Sequence, residues 1–296
     1  TALLFVEDEE KDAPIIADNY HMNGSHTGFT RWIKTNVHSQ KQQGYKAVTI
    51  KLPLGDISSE QFHDLANIAR KYAGGRARIT HQQNLTFRWV PEGALYELWE
   101  TLGQIDLNDS GANEITDVIA CPGTDSCKLG ITSSMGLGRS ISRTLHDMNV
   151  QDPLTKQIHV KMSGCPNGCA QHHIADIGLH GAAMKGPGGQ VPAYEMFLGG
   201  SYGDGDATIA QRVKTKVPAK KIPDALNRVI VLYQKERHEG EVFREFVLRV
   251  GVSRFEDLLA DFKDLPDLNK ETLDSYMDWD KTVKYILERG EGECAV

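Results

Sequence analysis

The amino-acid sequence predicts an α+β fold in two parts, a small β-α-β-β-α layer and a larger mixed α/β domain. Apolar and polar residues alternate over 46–54, which is typical of a strand with one buried face. A capped helical pattern then runs from Ser58 to the Gly74-Gly75 pair. After Asn108, short apolar segments alternate with glycine-rich turns and helical patterns, which indicates a second domain.

The remaining elements of the first part follow in chain order. Ser58 with Gln61 three residues later predicts a capping box at the start of the helix. The apolar face of this helix is predicted to be Phe62, Leu65, Ile68 and Tyr72. Residues 76–81 and 85–89 predict a hairpin, and residues 91–102 predict a second helix.

The second part is predicted from the same kinds of pattern. Strands are expected at 115–120, 156–162, 174–179 and 194–198, and helices at 128–148, 223–237 and 255–262. The predicted organisation is an irregular arm or linker over 1–40, domains over 41–108 and 109–252, and an acidic helical tail over 253–296.

Composition excludes several classes of protein. The 296 residues are 40% hydrophobic and 25% charged, and no apolar run approaches the length of a membrane span. Residues 256–296 contain 12 acids and 5 bases, which alone account for the net charge of −7. The rest of the chain is therefore near neutral and has no surplus of basic residues for binding nucleic acid. Reduced thiols and the absence of a signal at the start predict a cytoplasmic location, or a plastid location after removal of a transit peptide.

Four cysteines in two unequal pairs dominate the second part: Cys121 and Cys127, and Cys165 and Cys169. Four thiolates can hold a cubane iron–sulfur cluster. A helix that begins at Cys165, with Pro166 at its first position, would place both sulfurs of the second pair on one face. The other pair is separated by five residues that include proline and glycine, which favours a loop. Helix and loop together would form a four-thiolate site.

Three other uses of these cysteines stay open on the residues alone. Structural zinc sites use pairs separated by about two to four residues, so the longer pair fits zinc poorly. Disulfides need an oxidising compartment, for which the start of the sequence gives no signal. Unrelated buried thiols would not explain two Cys-Pro steps beside glycines. Cys294 is interpreted as a free thiol.

The segments IACPGTDSCKLGITSS and KMSGCPNGCAQHHIADIGLHG resemble the cluster and sirohaem motif of assimilatory nitrite and sulfite reductases. Residues 36–84 are similar to the ferredoxin-like half-domain of these enzymes, and EMFLGGSYGDG and GEVFREFVLRVG look like their closing segments. The resemblance implies a ferredoxin-like half-domain over 41–108, followed by a mixed α/β domain over 109–252 that binds sirohaem and a [4Fe-4S] cluster.

The resemblance also implies an oxidoreductase activity. The cluster would be held by Cys121, Cys127, Cys165 and Cys169, and Cys169 would also bridge to the sirohaem iron. Such enzymes use electrons from ferredoxin for the six-electron reduction of nitrite to ammonia or of sulfite to sulfide. The stretch HSQKQQGYKAVTIKLPLGDI and the second cysteine segment look more like ferredoxin–nitrite reductases, which favours nitrite; sulfite is the alternative substrate.

Further cofactor contacts are implied for Lys128, Ser163, Asn167 and Gly168. The run from Arg78 to Asn84 resembles the R-x-T-x-x-Q-N signature of the family. Its matching residues, Arg78, Thr80, Gln83 and Asn84, are therefore candidates for binding the cofactor carboxylates, or a symmetry-related remnant that only structures the half-domain. His172 and His173 would either bond to a cofactor carboxylate or pack ordinarily. The other basic residues near the motifs, Lys161 among them, are interpreted as solvated surface charges.

Members of the family contain two repeats, and this chain resembles the second. The catalytic residues stay unknown, because the arginines and lysines that bind the anion are expected on a first repeat, in the same protein or in another chain. A different class of function therefore stays open, an iron–sulfur electron-transfer or cofactor-binding subunit without its own substrate site.

Five basic residues without an acid among them form a charged run, which is expected in a loop: Arg212, Lys214, Lys216, Lys220 and Lys221. Such a run is usually a solvated face. Since ferredoxins are acidic, the same charges would also attract the electron donor, which makes the run a candidate docking surface.

Overall fold

The computed structural model describes residues 12–14, 27–202 and 207–287. The chain divides into two compact units, Thr1–Asp117 and Val118–Val296. Each unit combines helices with one sheet, so the predicted α+β class is confirmed. Among the described residues, no helix is both long enough and apolar enough to cross a lipid bilayer.

The first unit packs its helices on an antiparallel sheet with the strand order β1-β2-β4-β3. Its elements are α1 (Thr27–Asn36), β1 (Val37–Ser39), β2 (Tyr45–Ile50), α2 (Ser59–Tyr72), β3 (Arg78–Ile79), β4 (Leu85–Pro91) and α3 (Leu95–Gly103). The predicted strand, helix, hairpin and second helix are all present. The hairpin strand β3 is shorter than expected.

Helix α2 starts and ends as its sequence predicts. The backbone N–H of Gln61 donates to Ser58 Oγ over 3.1 Å, and the backbone N–H of Ser58 donates to Gln61 Oε1 over 3.0 Å, so the capping box is confirmed. The helix ends before Gly74, which adopts a φ of +60° that favours glycine. One part of the predicted apolar face is wrong, because Phe62 is 63% exposed.

Helix α1 corrects the prediction that residues 1–40 are irregular. Phe29 and Trp32 are buried on one face of the helix, and the Phe29 ring meets the Tyr96 ring edge-on with centroids 4.9 Å apart. The apolar spacing of Phe29, Trp32 and Ile33 is a helical signal that the polar surroundings conceal. The rest of the predicted arm, apart from residues 12–14 and 37–40, lies outside the described residues.

The second unit is built on a mixed sheet with the order β5-β6-β7-β8-β9. Strands β5, β6 and β7 pair in parallel, whereas β7, β8 and β9 pair antiparallel. The elements are β5 (Ile119–Ala120), α4 (Ser134–Asp147), α5 (Pro153–Lys156), β6 (Val160–Ser163), β7 (Ile177–Gly186), β8 (Gly189–Leu198), β9 (Gln211–Pro218), α6 (Ile222–Glu236), α7 (Phe243–Val250) and α8 (Val252–Leu258).

Several boundaries in the second unit differ from the prediction. Strand β5 has two residues rather than six, and α4 begins at Ser134 rather than near residue 128. The region between them is taken by loop and turn structure that carries the first cysteine pair. Helix α7 was not predicted, and the described part of the tail contains α8 and short 3₁₀ turns rather than a continuous helix.

Candidate functional site

The two cysteine pairs follow neighbouring parallel strands. Strands β5 and β6 pair with Ile119 opposite Lys161 and Ala120 opposite Met162. The backbone N–H of Cys121 continues this pairing, donating to the Met162 carbonyl over 3.1 Å. Because the carboxyl ends of parallel strands meet at one edge of a sheet, the first cysteine loop (residues 121–134) and the second cysteine loop (residues 164–171) begin side by side.

Two glycines let the cysteine loops touch through their backbones. A Cβ atom at Gly164 would lie 2.6 Å from the Cα atom of Gly123, and a Cβ atom at Gly123 would lie 2.5 Å from the Thr132 carbonyl oxygen. Gly123 also has a φ of +56°. The amides of Ile131 and Thr132 both donate to the Gly164 carbonyl, over 2.8 and 3.0 Å. The approach of the two loops is therefore fixed by main-chain contact.

The four thiols differ in exposure. Cys121 and Cys165 are buried, whereas Cys127 and Cys169 are exposed, and all four are free. The Gly164 N–H donates to Cys121 Sγ over 3.0 Å. Burial raises the pKa of the Cys165 thiol, the Asn167 backbone N–H opposes this shift, and the other three cysteines raise the pKa further. The thiols therefore lie close enough to interact electrostatically.

Backbone N–H groups are directed at two of the four sulfurs. The Gly164 N–H donates to Cys121 Sγ, and the Asn167 N–H donates to Cys165. Amide donors of this kind suit the negative charge of an iron–sulfur group. Within the described ranges, no group of three or more His, Cys, Asp or Glu side chains is arranged to hold one metal ion.

The predicted helix from Cys165 is wrong. Residues 164–170 form turns, and a 3₁₀ segment begins only at His172. Gly168 has a φ of +75° and Gln171 a φ of +61°, and neither value is compatible with a right-handed helix. A Cβ atom at Gly168 would also lie 3.3 Å from the His173 ring. The second cysteine loop therefore curls as the first one does.

Lys161 is fully buried, which corrects its interpretation as a solvated charge. Its Nζ donates to Gln171 Oε1 over 3.1 Å and lies 4.2 Å from the centroid of the Tyr202 ring. Burial lowers the pKa of Lys161 to about 8, although Asp176 opposes the shift. The only signal in the sequence was the position of Lys161 inside a short apolar strand.

His172 is a second buried polar residue beside the second cysteine loop. Its Nδ1 lies 3.0 Å from Ser163 Oγ, which also accepts the Ala170 N–H over 3.3 Å. Its Nε2 is buried and has no hydrogen-bond partner among the described residues. Burial lowers the pKa of His172 to about 3, with smaller contributions from His173 and His180. The side chain is therefore neutral, and one ring nitrogen is free to bond to a ligand.

The other predicted contacts of the second unit differ in exposure. Lys128 and Asn167 are exposed, Ser163 is buried, and Gly168 is half-buried. Ser163 Oγ supports Ala170 and His172. The roles of these four residues towards a cofactor stay predictions.

The R-x-T-x-x-Q-N residues lie in the first unit. Thr80 Oγ1 accepts the Asn84 N–H over 3.1 Å, which closes the β3–β4 turn. Asn84 is buried, accepts the Leu52 N–H over 2.8 Å and donates to Asp117 over 2.7 Å. Arg78 is exposed and Gln83 is half-buried at a φ of +64°. Thr80 and Asn84 thus hold the local backbone, and cofactor binding by the signature stays a prediction.

The basic run is not a loop, as predicted, but strand β9 and the turn after it. Side chains alternate between the two faces of β9. Val213, Thr215 and Val217 are buried, and the basic residues between them are exposed or partly exposed. Most of the positive charges have carboxylate neighbours: Arg212 and Lys216 with Glu195, Lys220 with Asp274, and Lys221 with Asp224. Lys214 is exposed, and no ion pair of its side chain is found within the described residues.

Comparison with known proteins identifies both parts of the chain. Residues 38–105 match the nitrite/sulfite reductase ferredoxin-like half domain. Residues 111–264, more than half of the chain, match the nitrite and sulphite reductase 4Fe-4S domain. The predicted family, the iron–sulfur character and the order of the domains in the fold class are therefore confirmed.

Individual relatives are of two kinds. The chain is 29% identical over 66% of its length to a ferredoxin–nitrite reductase of Synechococcus elongatus, covering 37% of that protein. It is 31% identical over 73% of its length to an assimilatory ferredoxin-dependent nitrite reductase of Haloferax mediterranei, covering 36% of it. It is 31% identical over 70% of its length to a sulfite reductase [ferredoxin] of Mycobacterium tuberculosis, covering 38% of it.

Among solved structures, the NirA protein of Mycobacterium tuberculosis matches with a TM-score of 0.64 and 28% identity, over 75% of this chain and 41% of NirA. The chain thus spans less than half the length of each of these relatives. A family of this kind uses a [4Fe-4S] cluster and sirohaem as cofactors. By its two matched domains, its fold and its paired cysteine loops, the chain belongs to the nitrite and sulfite reductase family of oxidoreductases.

Proposed function

We propose that this chain holds a [4Fe-4S] cluster on Cys121, Cys127, Cys165 and Cys169, binds sirohaem through Cys169, and serves the six-electron reduction of nitrite to ammonia. The observation that carries the proposal is the contact between the two cysteine loops, which gathers the four thiols beside one sheet edge. Sulfite reduction to sulfide is the alternative, because the relatives include enzymes named for each anion.

The residues of the chain would support this centre in distinct ways. The cluster and the sirohaem, when bound, supply the electron storage and the iron at which the anion is reduced. The backbone N–H groups of Gly164 and Asn167 donate towards Cys121 and Cys165, which favours the negatively charged sulfurs. Cys169 and Cys127 both have exposed thiols, and the assignment of Cys169 as the bridging ligand follows from the resemblance to the family.

Electron supply and anion binding involve partners beyond these loops. Ferredoxin is the proposed donor, because relatives are named as ferredoxin-dependent. Its proposed docking surface is the basic run, Arg212, Lys214, Lys216, Lys220 and Lys221, where Lys214 contributes the charge least offset by carboxylates. The arginines and lysines that bind the anion are proposed to lie on a first repeat, within the length of the relatives that this chain does not span.

Anaerobic reconstitution tests the proposal. We expect about four cluster irons per chain, one further iron with sirohaem, and haem bands in the visible spectrum. Nitrite and sulfite are then added separately to the reduced protein, and ammonia and sulfide are assayed. The Cys165→Ala variant should lose the cluster, whereas Cys294→Ser, outside the two loops, should keep it.

The outcomes separate the candidate functions. A chain that stays free of iron overturns the proposal. A chain that acquires iron and sulfide but shows no haem bands and no product is instead an electron-transfer or cofactor-binding subunit. Sulfide without ammonia would make sulfite the substrate.

A further inference from the structure

The chain continues past residue 264, where the family match ends, and folds back onto the first cysteine loop. We call residues 276–287 the C-terminal strap. The strap forms a hairpin-like loop. Met277 and Lys284 pair in an antiparallel bridge, and the Tyr285 N–H donates to the Tyr276 carbonyl over 2.7 Å. The strap is therefore an ordered element outside the part of the chain that defines the family.

Two buried hydrogen bonds join the strap to the first cysteine loop. The Ser133 N–H, at the N-cap of α4, donates to Asp278 Oδ2 over 2.7 Å. The Tyr285 hydroxyl donates to the Ile131 carbonyl over 2.9 Å. Both partners in the loop are main-chain groups, and Asp278 and Tyr285 are buried. Loss of either side chain would leave a buried backbone group without its partner.

Charged contacts surround these two bonds. Lys281 Nζ lies 3.3 Å from Asp125 Oδ1 in the first cysteine loop. Asp280 accepts from Arg139 Nε of α4 over 2.9 Å, and Arg139 also reaches Asp125. A cavity of about 330 Å³ is lined by strap residues together with Thr124, Gly130 and Ile131 of the loop. The strap and the loop therefore meet through specific polar contacts beside an open space.

The strap is anchored independently on its other side. Lys284 Nζ donates to the Gly188 carbonyl over 2.6 Å, and the Leu287 N–H donates to Gln190 Oε1 over 2.9 Å, both at the turn between β7 and β8. The Trp279 indole N–H donates to the Ala219 carbonyl over 2.9 Å. Because the β7–β8 hairpin is part of the sheet, the strap ties an irregular loop to a regular element.

We propose that Asp278 and Tyr285 are positioning residues that fix the first cysteine loop and so hold Cys127, its exposed thiol, in place for the cluster. The contacts above restrain the loop directly, and the effect on the cluster rests on the proposed function. The segment from Thr124 to Ser133 contains only short turns and loop structure. Apart from hydrogen bonds within the loop and into α4, its backbone hydrogen bonds among the described residues run to the Gly164 carbonyl and to the two strap side chains.

Amide hydrogen exchange of the full chain without cofactors tests the restraint directly. In Asp278→Ala, amides of residues 124–133 should exchange about tenfold faster, because the buried Ser133 N–H loses its acceptor. Tyr285→Phe removes one hydroxyl and should accelerate exchange several-fold in the same residues. This variant provides the test if Asp278→Ala fails to fold. The matched control is Asp274→Ala, which removes a tail carboxylate that pairs with Lys220 on the surface.

Iron release from the reconstituted, anaerobic protein into a chelator provides the second measurement. We expect the Asp278→Ala and Tyr285→Phe proteins to release iron several-fold faster than wild type, and Asp274→Ala to match wild type. Unchanged exchange at 124–133, or equal acceleration throughout the second unit, would overturn the strap proposal. Failure of the wild-type chain to load iron would overturn the proposed function, while the exchange result would still decide the role of the strap.

Discussion

Lys161 donates from Nζ to Oε1 of Gln171 over 3.1 Å, although the lysine is fully buried in β6. Gln171 follows Cys169 by two residues and is held at a φ of +61°. A buried positive charge is thereby tied to the loop that carries a proposed ligand of both metal centres. Ionised groups are costly to bury, so a lysine at this position reduces the stability of the protein unless the site gains from it.

Replacement of Lys161 by Met should stabilise the cofactor-free chain at pH 7 by about 1–3 kcal/mol. Burial lowers the pKa of Lys161 in the folded chain from 10.5 to about 8. Below pH 8 the lysine is charged in both states and its buried charge reduces the free energy of unfolding. This reduction becomes smaller as the pH rises from 8 towards 10.5. Urea unfolding at pH 7 and pH 10 measures the difference, which should shrink at the higher pH. The exposed Lys263→Met is the control, and a gain that does not depend on pH would contradict the prediction.

His172 should make the cofactor-free chain sensitive to acid. Its pKa is lowered from 6.5 to about 3 in the folded chain. Between these values the unfolded chain binds a proton that the folded chain excludes. The free energy of unfolding therefore decreases as the pH falls from 6.5 towards 3. The loss amounts to about 2 kcal/mol at pH 5. His172→Phe should remove this dependence in unfolding curves between pH 7 and 5. His146→Phe, at an exposed site, should leave the dependence in place. Unfolding curves with the same pH dependence in both variants would refute the role of His172.

Cys169→Ser should affect both metal centres if Cys169 bridges them. We expect the visible bands of sirohaem to disappear and the iron content to fall by more than the single haem iron, because one substitution removes a ligand of each centre. Cys127→Ser removes an exposed thiol of the cluster only, and is the matched comparison. Haem bands that survive in Cys169→Ser would show that the sirohaem iron is held elsewhere.

Lys214→Glu should weaken the proposed docking of ferredoxin. The substitution reverses an exposed charge on β9, so kcat/KM for reduced ferredoxin should fall about two- to tenfold and depend less on salt. Turnover with a small chemical reductant should not change. Lys185→Glu, an exposed lysine on β7, is the control. Identical ferredoxin kinetics in both variants would exclude β9 as the docking surface.

Local patterns in the sequence were sufficient for much of the fold. The capping box of Ser58, the glycine stop at Gly74 and the long hairpin of β7 and β8 are each encoded within a few residues, and each is present. Strand β9 had the same kind of signal at Val213, Thr215 and Val217. The same alternation places the lysines on the exposed face, so the charge that predicts a loop and the period of two that predicts a strand coincide in one segment.

The site was predicted less completely because its geometry depends on contacts between distant segments. The spacing of Cys165 and Cys169 fits a helix equally well, and only the left-handed backbone at Gly168 and Gln171 excludes one. Burial of Lys161 depends on the segments that cover β6, and locally the sequence records only its position inside a short apolar strand. The strap contacts of Asp278 and Tyr285 were missed for the same reason, since acidic composition predicted only a tail.

The close approach of Gly123 and Gly164 has a consequence for protein engineering. The separation of the two cysteine loops is set by two peptide backbones in contact, with no room for even a methyl group at either glycine. A designer who grafts only the four cysteines onto another scaffold would therefore transfer the proposed ligands without the contact that sets the spacing of their loops. A successful transplant would have to carry both glycines and the Thr132 segment that lies against them.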